Sequence, residues 1–499
     1  MSPLDGILYG LGVVIQPVNL LFCFLGAFVG TLIGVLPGIG PGGTLALLLP
    51  ITFYLPPSTA IIMLGGIYYG AMYGGSTTSI LVNIPGEAAS IITCLDGYQM
   101  ARKGRAGPAL GMAAIGSFIA GSLSVVGIMF SAPFLAGLAL KFSSPEYVAF
   151  IVFGLTLTSY LTSASKIKAF MMATLGLLIG MIGTDPIASI DRFTFGSVYL
   201  VDGVGLIPLI MGLFGISEIF SNLEEEEFRG ILKEKIKGLF PTLKDWMDSK
   251  WPILRGTIIG FFIGILPGGN AIIASIMSYA AERRISKHPE KFGTGIIEGV
   301  AGPEAANNAS AQASFIPLLS LGIPTNAVMA LLLASLMIHE VLPGPLLIKN
   351  NPDIFWSVIA SMYIGNIMLL LLNLPLIGLW IQVLKVPYAY LFPFIFIFCL
   401  LGTYSLTNSV FDIGVMIFFG IIGYLMKKFA YEPTPLILAF VLGSMFEDNF
   451  RRSLIVSGGS FLVFLERPIA AVFIIAAAIL LLSSLFSTLR AKNTASSKL

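Results

Sequence analysis

The N-terminal part of this chain carries almost no charge. No lysine or arginine precedes Arg102, and the acidic residues over that stretch are Asp5, Glu87 and Asp96. Over all 499 residues, 56% are hydrophobic and 11% are charged, whereas soluble domains carry about 25% charged residues. The apolar runs supply roughly ten to fourteen spans of about 20 residues each. The sequence therefore predicts an all-α, polytopic integral membrane protein and excludes a soluble enzyme, a nucleic-acid-binding protein and a disordered chain.

Few side chains are suited to catalysis or metal binding. The net charge of +2 is too small to indicate a polyanionic partner. Cys23, Cys94 and Cys399 lie far apart in apolar stretches, so their spacing predicts neither a disulfide framework nor a metal site. The two histidines, His288 and His339, give little basis for a zinc site or a catalytic triad. We expect no enzymatic activity, no cofactor and no nucleic-acid partner.

The basic residues predict how the chain is divided and oriented. They cluster at 102–105, 166–168, 229–255, 283–287, 427–428 and 490–492. By the positive-inside rule, we expect these segments to face the cytoplasm. The predicted organisation is a first transmembrane half (1–221), a polar cytoplasmic linker (222–250), a second transmembrane half (251–489) and a cytoplasmic tail (490–499).

One charged run does not follow that rule. Residues 447–452 include two acids followed by Arg451 and Arg452. If one membrane span follows the cytoplasmic Lys428, these arginines lie on the outer side of the membrane. We interpret the run as a paired interfacial cluster in which neighbouring acids neutralise the arginines.

Each half contains a matched pair of helix-breaking motifs. Residues 30–38 align with 260–268 and both end in Leu-Pro-Gly, while Ile84-Pro85 and Ile323-Pro324 break a second apolar stretch in each half. Proline and glycine interrupt helices, and broken backbone at membrane depth persists only inside protein or beside a polar cavity. A single break is typical of a proline kink. Two matched pairs favour a two-half repeat whose breaks form a transporter's substrate site.

Small and polar residues surround these breaks. Backbone amides at half-helix N-termini, together with hydroxyl and carboxamide groups, can bind a carboxylate at membrane depth. The alternative is that small polar residues only allow close helix packing and interhelical hydrogen bonds. The candidate substrate-binding residues are Gly38, Gly40, Ser76, Thr77, Thr78, Asn83, Pro85, Gly86, Gly268, Asn270, Asn307, Asn308, Ser310, Gly322 and Pro324.

Two acidic residues lie next to breaks. Glu87 follows Pro85 by two residues, and Glu304 follows Pro303 directly. Acidic groups at membrane depth are usually functional, so both are candidates for coupling to a proton or cation. Each is equally consistent with a helix cap stabilised by the helix dipole.

These motifs resemble the large membrane subunit (TctA) of the tripartite tricarboxylate transporter family. The similar stretches are 34–43, 68–90, 96–104, 292–309, 319–324, 342–345 and 442–452. The resemblance implies a cation-coupled (Na⁺ or H⁺) importer of di- or tricarboxylates in the inner membrane. It also implies a small four-helix membrane partner (TctB-like) and a periplasmic solute-binding protein (TctC-like). The sequence has no Gly-x4-Gly-Lys-Ser/Thr phosphate loop, which disfavours ATP-driven transport.

Other functions stay open at this point. A carboxylate carrier or anion channel that works without a binding protein is the main alternative, and a membrane enzyme is third. The flanking charges Arg255 and Arg283 place both ends of the second Leu-Pro-Gly hairpin in the cytoplasm, whereas the first hairpin is expected to leave the membrane outside, near Pro56. We therefore expect the two halves to have inverted topology.

Overall fold

The computed structural model describes residues 2–36, 40–161, 165–185, 187–224, 238–384 and 392–496, which are almost entirely helical. The helices of the first half are α1 (Pro3–Val14), α2 (Pro17–Val35), α3 (Gly40–Thr52), α4 (Pro57–Val82), α5 (Ile91–Arg102), α6 (Ala106–Ala139), α7 (Ser144–Leu161), α8 (Lys166–Gly180), α9 (Leu206–Ile210) and α10 (Ser217–Glu224). A π-helical segment, Met211–Ile216, joins α9 to α10. The short strands β1 (Gly183–Thr184) and β2 (Asp191–Arg192) form an antiparallel hairpin.

The second half continues this pattern. Its helices are α11 (Leu243–Ile265), α12 (Ala271–Ile285), α13 (Glu298–Ala313), α14 (Phe315–Leu321), α15 (Ala327–Ile338), α16 (Leu347–Asn350), α17 (Pro352–Asn373), α18 (Ile377–Val383), α19 (Phe392–Thr407), α20 (Val410–Lys428), α21 (Thr434–Val456), α22 (Val463–Glu466) and α23 (Pro468–Ser496). Three single 3-10 turns lie at Ala88–Ser90, Val198–Leu200 and Pro289–Lys291.

Five helices in the described part of the chain are long and apolar enough to cross a membrane. They are Pro17–Val35, Ala106–Ala139, Leu206–Glu224, Pro352–Asn373 and Val410–Lys428. Shorter apolar helices such as α3 and α15 lie between them. The prediction of an all-α polytopic membrane protein is confirmed.

Two helices, α4 and α13, form the centre of the fold. Of the 26 residues of α4, 24 are buried, and 15 of the 16 residues of α13 are buried. A helix buried on every side belongs to the core of a large bundle. α4 packs against α2 and α17, and α13 packs against α11 and α6, so each central helix contacts helices from both halves.

Glycine stripes bring α2 against α4 and α11 against α13. A Cβ on Gly30 would lie 2.5 Å from the Ile67 carbonyl oxygen, and one on Gly260 would lie 2.1 Å from that of Ala306. Gly34 and Gly264 make the same kind of close backbone contact one turn later. Small residues at four-residue spacing allow this approach between membrane helices. The two helix pairs therefore share a local packing pattern, while the inverted repeat of the halves stays a prediction.

The predicted breaks coincide with helix ends. α4 ends at Asn83 (φ 60°), and α14 ends at Gly322 (φ 72°). Both are left-handed, and in each case a proline follows two residues later. α11 and α12 are separated at 266–270, where Gly268 has φ 79°. The first Leu-Pro-Gly break falls on 37–39, outside the described residues.

Helices enter the predicted polar linker 222–250 at both ends of its described part. Helix α10 continues to Glu224, and α11 begins at Leu243 behind a capping box formed by Thr242 and Asp245. Arg105 donates to Asp245 at 2.5 Å. Burial of the Asp245 carboxyl opposes its ionisation, but hydrogen bonds from Arg105 and Thr242 lower its pKa below the usual value. At the other end of the chain, α23 extends to Ser496, into the predicted tail 490–499.

The charged run 447–452 is paired as predicted. Arg451 donates to Asp185 at 2.8 Å and pairs with Glu447 at 2.7 Å. Arg192, on β2, donates to Glu447 at 2.7 Å. Hydrogen bonds from Arg451 and from the Ala188 and Ile187 amides hold the pKa of Asp185 well below its usual range. These acids compensate the charge of Arg451. The outer location of the run, which the positive-inside rule disfavours, stays a prediction.

We expect the two Leu-Pro-Gly hairpins to enter the membrane from opposite faces. Single cysteines at the exposed positions Pro56 and Lys287 test this, with Cys94 changed to Ser because it is the partly exposed native thiol. A membrane-impermeant maleimide should label Pro56→Cys from outside in intact cells, whereas Lys287→Cys should react only after the membrane is opened. Labelling of both positions from the same side would rule out the inverted arrangement.

Candidate functional site

Four helix starts meet at a single cavity of about 400 Å³. They belong to α3, to the turn Ala88–Ser90 that leads into α5, to α12 and to α15. The lining residues are Gly40, Pro41, Gly42, Gly43, Tyr68, Met72, Pro85, Gly86, Glu87, Ala88, Ala89, Phe214, Glu218, Asn270, Ala271, Ile272, Asn326, Ala327, Val328, Glu432 and Thr434. The volume lies in the range of about 300–1,000 Å³ that is typical of small-molecule sites.

Three of the four helix starts at this cavity are capped by side-chain oxygens. Asn270 Oδ1 accepts from the Ile273 amide at 2.9 Å, and Asn326 Oδ1 accepts from the Met329 amide at 3.0 Å. Glu87 Oε2 accepts from the Ala89 amide at 2.7 Å. Each cap satisfies one amide of the first turn, and the neighbouring first-turn amides have no partner within their own helix. These amides and the helix dipoles make the cavity suitable for an anion.

The charged side chains that line the cavity are acidic. They are Glu87, Glu218 and Glu432, and the lining residues in the described part of the chain include neither lysine nor arginine. Lys427 pairs with Glu218 at one side. Glu87 is 5% exposed, and its second oxygen, Oε1, has no hydrogen-bond partner among the described residues. An anionic ligand beside Glu87 would meet a like charge unless a cation or a proton compensated it.

The structure brings some of the sequence candidates together here. Gly40, Pro85, Gly86 and Asn270 line the cavity together with Glu87. Gly38 lies outside the described residues. One carboxylate oxygen of Glu87 caps a turn, and the other has no hydrogen-bond partner among the described residues. Coupling to a proton or cation through Glu87 stays a prediction.

Other candidates form a second cluster around Glu304, which has no exposed surface. Ser76 donates to Glu304 Oε2 at 2.6 Å, Thr93 donates to Oε1, and Asn307 donates to Oε2 at 3.3 Å. The Asn308 amide donates to Ser117 at 2.8 Å and to the Glu304 carbonyl at 3.1 Å. This cluster ties α13 to α4, α5 and α6.

The remaining candidates hold the backbone near the breaks. Thr78 donates to the Val35 carbonyl at 2.6 Å, and the Gly268 amide donates to the Thr325 carbonyl at 2.8 Å. The Ser310 carbonyl oxygen lies against the backbone of Gly264, where an added Cβ would be 2.3 Å from it. Asn83, Gly322 and Pro324 lie at the ends of α4 and α14. A role in substrate binding stays a prediction for all of these residues.

Sequence reasoning missed Asn326, Tyr68, Thr93 and Ser117. For Asn326 there was a usable signal, because an Asn before an apolar run is typical of a helix N-cap. Tyr68 lies inside an unbroken apolar helix, and Thr93 and Ser117 lie on neighbouring helices without a motif of their own. Those three contacts depend on tertiary packing.

A family model described as the tripartite tricarboxylate transporter TctA family matches residues 20–438. The chain belongs to this family. A protein of Agrobacterium vitis described as the uncharacterized 52.8 kDa protein in the TAR-I ttuC′ 3′ region is 48% identical over 493 residues, 99% of this chain and 98% of that protein. Another, described as the uncharacterized protein in the TAR-II ttuC′ 3′ region, is 48% identical over 234 residues, 47% of this chain and 97% of that protein. No solved structure matches the chain.

The membership in the TctA family that we inferred from the sequence motifs is confirmed. The matched range contains all the helix starts at the cavity as well as Glu304. As a TctA-family protein, the chain is a multi-pass membrane subunit of a tricarboxylate transporter.

Proposed function

We propose that this chain is the large membrane subunit of a cation-coupled importer that receives a di- or tricarboxylate from a periplasmic binding protein. It works with a small four-helix membrane subunit in the inner membrane and uses a Na⁺ or H⁺ gradient. The observation that carries the proposal is the convergence of four helix starts, three of them capped by a side-chain oxygen, on one cavity. Discontinuous helices whose N-termini face a midplane cavity are the usual way in which secondary transporters bind anionic substrates.

The charges of the cavity support coupling to a cation. A di- or tricarboxylate placed beside Glu87 meets a like charge in a site of low dielectric, which opposes binding. A bound cation or a proton on Glu87 removes this repulsion. Substrate and cation therefore stabilise each other in the site, and this mutual dependence is what a symporter requires.

The same charges support dependence on a binding protein. A transporter that captures a polyanion alone from dilute solution needs a fixed positive group, typically an arginine that binds the carboxylate with two hydrogen bonds. In the part of the chain that the structure describes, the cavity offers helix ends capped by Asn270, Asn326 and Glu87 instead. A weak membrane site is sufficient if a soluble protein captures the substrate and delivers it at the outer face.

Uptake by reconstituted components tests this function. The purified chain in proteoliposomes should take up little labelled carboxylate at micromolar concentration. Addition of the small subunit and the binding protein, with an inward Na⁺ or H⁺ gradient, should increase uptake at least about tenfold, because delivery replaces capture by the weak site.

Leaving out one component of this assay at a time distinguishes the candidate functions. Uptake should fall to background without the binding protein or after the cation gradient is collapsed. Robust coupled uptake by the chain alone, unchanged by its partners, would instead establish a solitary carrier. Gradient-independent flux that follows only the substrate concentration would establish a channel.

A further inference from the structure

A second, much smaller cavity lies between α4, α6 and α17, beside the Glu304 cluster. Its volume is about 10 Å³, which is close to one sphere of the size of a water molecule. The lining residues are Tyr73, Ser76, Thr77, Leu110, Ala113, Ala114, Ser117 and Asn373. Five of these eight residues carry a side-chain oxygen.

Two of the lining residues have buried oxygens without a hydrogen bond. Tyr73 Oη and Asn373 Oδ1 have no hydrogen-bond partner among the described residues. The amide nitrogen of Asn373 donates to the Leu369 carbonyl at 2.9 Å, so its oxygen is the unsatisfied atom. A buried polar atom left without a partner costs about 1–3 kcal/mol. Two such atoms on one small cavity indicate that a ligand completes it.

The hydrogen bonds of the two serines leave lone pairs available. Ser76 uses its proton to donate to Glu304 Oε2 at 2.6 Å. Ser117 donates weakly to the Glu304 carbonyl at 3.4 Å and accepts from Asn308 at 2.8 Å. A hydroxyl oxygen has two acceptor lone pairs, so each serine keeps at least one. These oxygens can all accept, so a cation or a proton donor is the kind of ligand that suits the cavity.

The neighbouring carboxylate decides between these two kinds of ligand. Glu304 has no exposed surface, and its side-chain partners Ser76, Thr93 and Asn307 are neutral. A carboxylate buried among neutral groups either takes up a proton or needs a compensating positive charge nearby. Because the three side chains donate hydrogen bonds to both carboxylate oxygens, they favour the ionised form of Glu304 and therefore a cation. Hard monovalent cations prefer hydroxyl, amide and carboxylate oxygens.

We propose that this small cavity binds Na⁺, with oxygens of Tyr73, Ser76, Thr77, Ser117 and Asn373 as its ligands and Glu304 as its counter-charge. The inference deepens the proposed function, on which it rests, by naming the coupling ion and a site for it apart from the substrate cavity. α4 connects the two places, because Tyr68 and Met72 line the large cavity while Tyr73, Ser76 and Thr77 line the small one. Na⁺ bound here holds α4 against α6 and α17 and thereby stabilises the helix end that reaches the substrate.

The chain itself provides matched controls. Tyr69 lies one turn before Tyr73 on α4 and is also buried with an unpaired hydroxyl, but it does not line the small cavity. Asn366 lies two turns before Asn373 on α17, is fully buried, and does not line the cavity either. In each pair, only the second residue reaches the cavity. Asn366→Leu also removes the oxygen that accepts from Gln312 Nε2 at 2.8 Å, so it controls for the loss of a buried amide elsewhere on α17.

The test is equilibrium binding of ²²Na⁺ to the purified full chain in nanodiscs, with K⁺ keeping the ionic strength constant and without substrate or partner subunits. Wild type and Tyr69→Phe should bind Na⁺ saturably with the same affinity. Tyr73→Phe should weaken binding at least about tenfold, the effect expected when one group that shapes an ion site is removed. Asn373→Leu should abolish binding, whereas Asn366→Leu should retain it. Thermal unfolding of each variant in K⁺ establishes that the protein is folded.

Three results would overturn the site. The first is the absence of saturable Na⁺ binding in the wild type, which would mean that water fills the cavity. The second is equal weakening by Tyr69→Phe and Tyr73→Phe, and the third is unchanged Na⁺ binding in Tyr73→Phe. Because binding is measured separately from uptake, a chain that binds Na⁺ at this cavity but imports no carboxylate would refute the proposed function alone. A chain that imports carboxylate with unchanged Na⁺ binding in Tyr73→Phe would refute this site alone.

Discussion

A valine in place of Gly260 should prevent α11 from packing against α13 and should leave little monodisperse protein after extraction from the membrane. A Cβ at this position would lie 2.1 Å from the Ala306 carbonyl oxygen and 2.8 Å from its Cα. Rotamer changes cannot relieve a clash with backbone, so the helices must separate. We expect destabilisation of at least about 3 kcal/mol, the upper end of the range for overpacked cores. Size-exclusion chromatography and thermal unfolding of the purified chain measure this effect.

The control is Gly137→Val, near the end of α6. A Cβ at Gly137 meets no other atom within 4 Å, so the substitution changes helix propensity without changing a contact. Gly30→Val should behave like Gly260→Val, because its Cβ would lie 2.5 Å from the Ile67 carbonyl oxygen. Normal elution and melting of Gly260→Val would show that α11 does not approach α13 this closely, and the positions of the α13 side chains would then be wrong as well.

The sequence predicted the breaks because their causes are local. Proline removes a backbone donor and glycine permits left-handed backbone, so Ile84-Pro85-Gly86 and Leu266-Pro267-Gly268 interrupt helices wherever those helices lie. The membrane makes these interruptions more informative, because an exposed backbone break in lipid is too unfavourable to persist. Convergence of the breaks on a protein cavity was therefore predictable, although the neighbours of each break were not.

Proximity in sequence was a weaker guide to the side chains. Ser76 precedes Asn83 by seven residues, which is about 10 Å along a helix, and it contacts Glu304 instead of the large cavity. Asn307 and Asn308 lie about four turns before the break at Gly322 and join the same cluster. The separation into two clusters depends on how α4, α5, α6 and α13 pack. No local pattern encodes that packing.

Replacing Glu87 with asparagine should abolish gradient-driven accumulation of substrate while leaving the fold intact. Asn326 occupies the corresponding place after the second Ile-Pro break, and its side-chain oxygen caps α15. Asparagine at position 87 therefore keeps a capping oxygen for the Ala89 amide and removes only the charge. Loss of one partner from a buried charged contact costs about 2–5 kcal/mol, which corresponds to at least about 30-fold in apparent affinity. Uptake by the complete reconstituted system, with and without a cation gradient, measures the loss.

Three comparisons make this result interpretable. Glu290→Asn removes the same charge from an exposed side chain and should leave uptake unchanged. Glu87→Asp keeps the charge on a shorter side chain and should restore part of the accumulation that asparagine abolishes. If the Glu87 charge couples transport to the cation, exchange of substrate down its own gradient should survive in Glu87→Asn. The helix ends that bind the substrate are unaltered in this variant. If Glu87→Asn accumulated substrate like the wild type, Glu87 would be a helix cap only, and the cation would have to act entirely through another site such as the one beside Glu304.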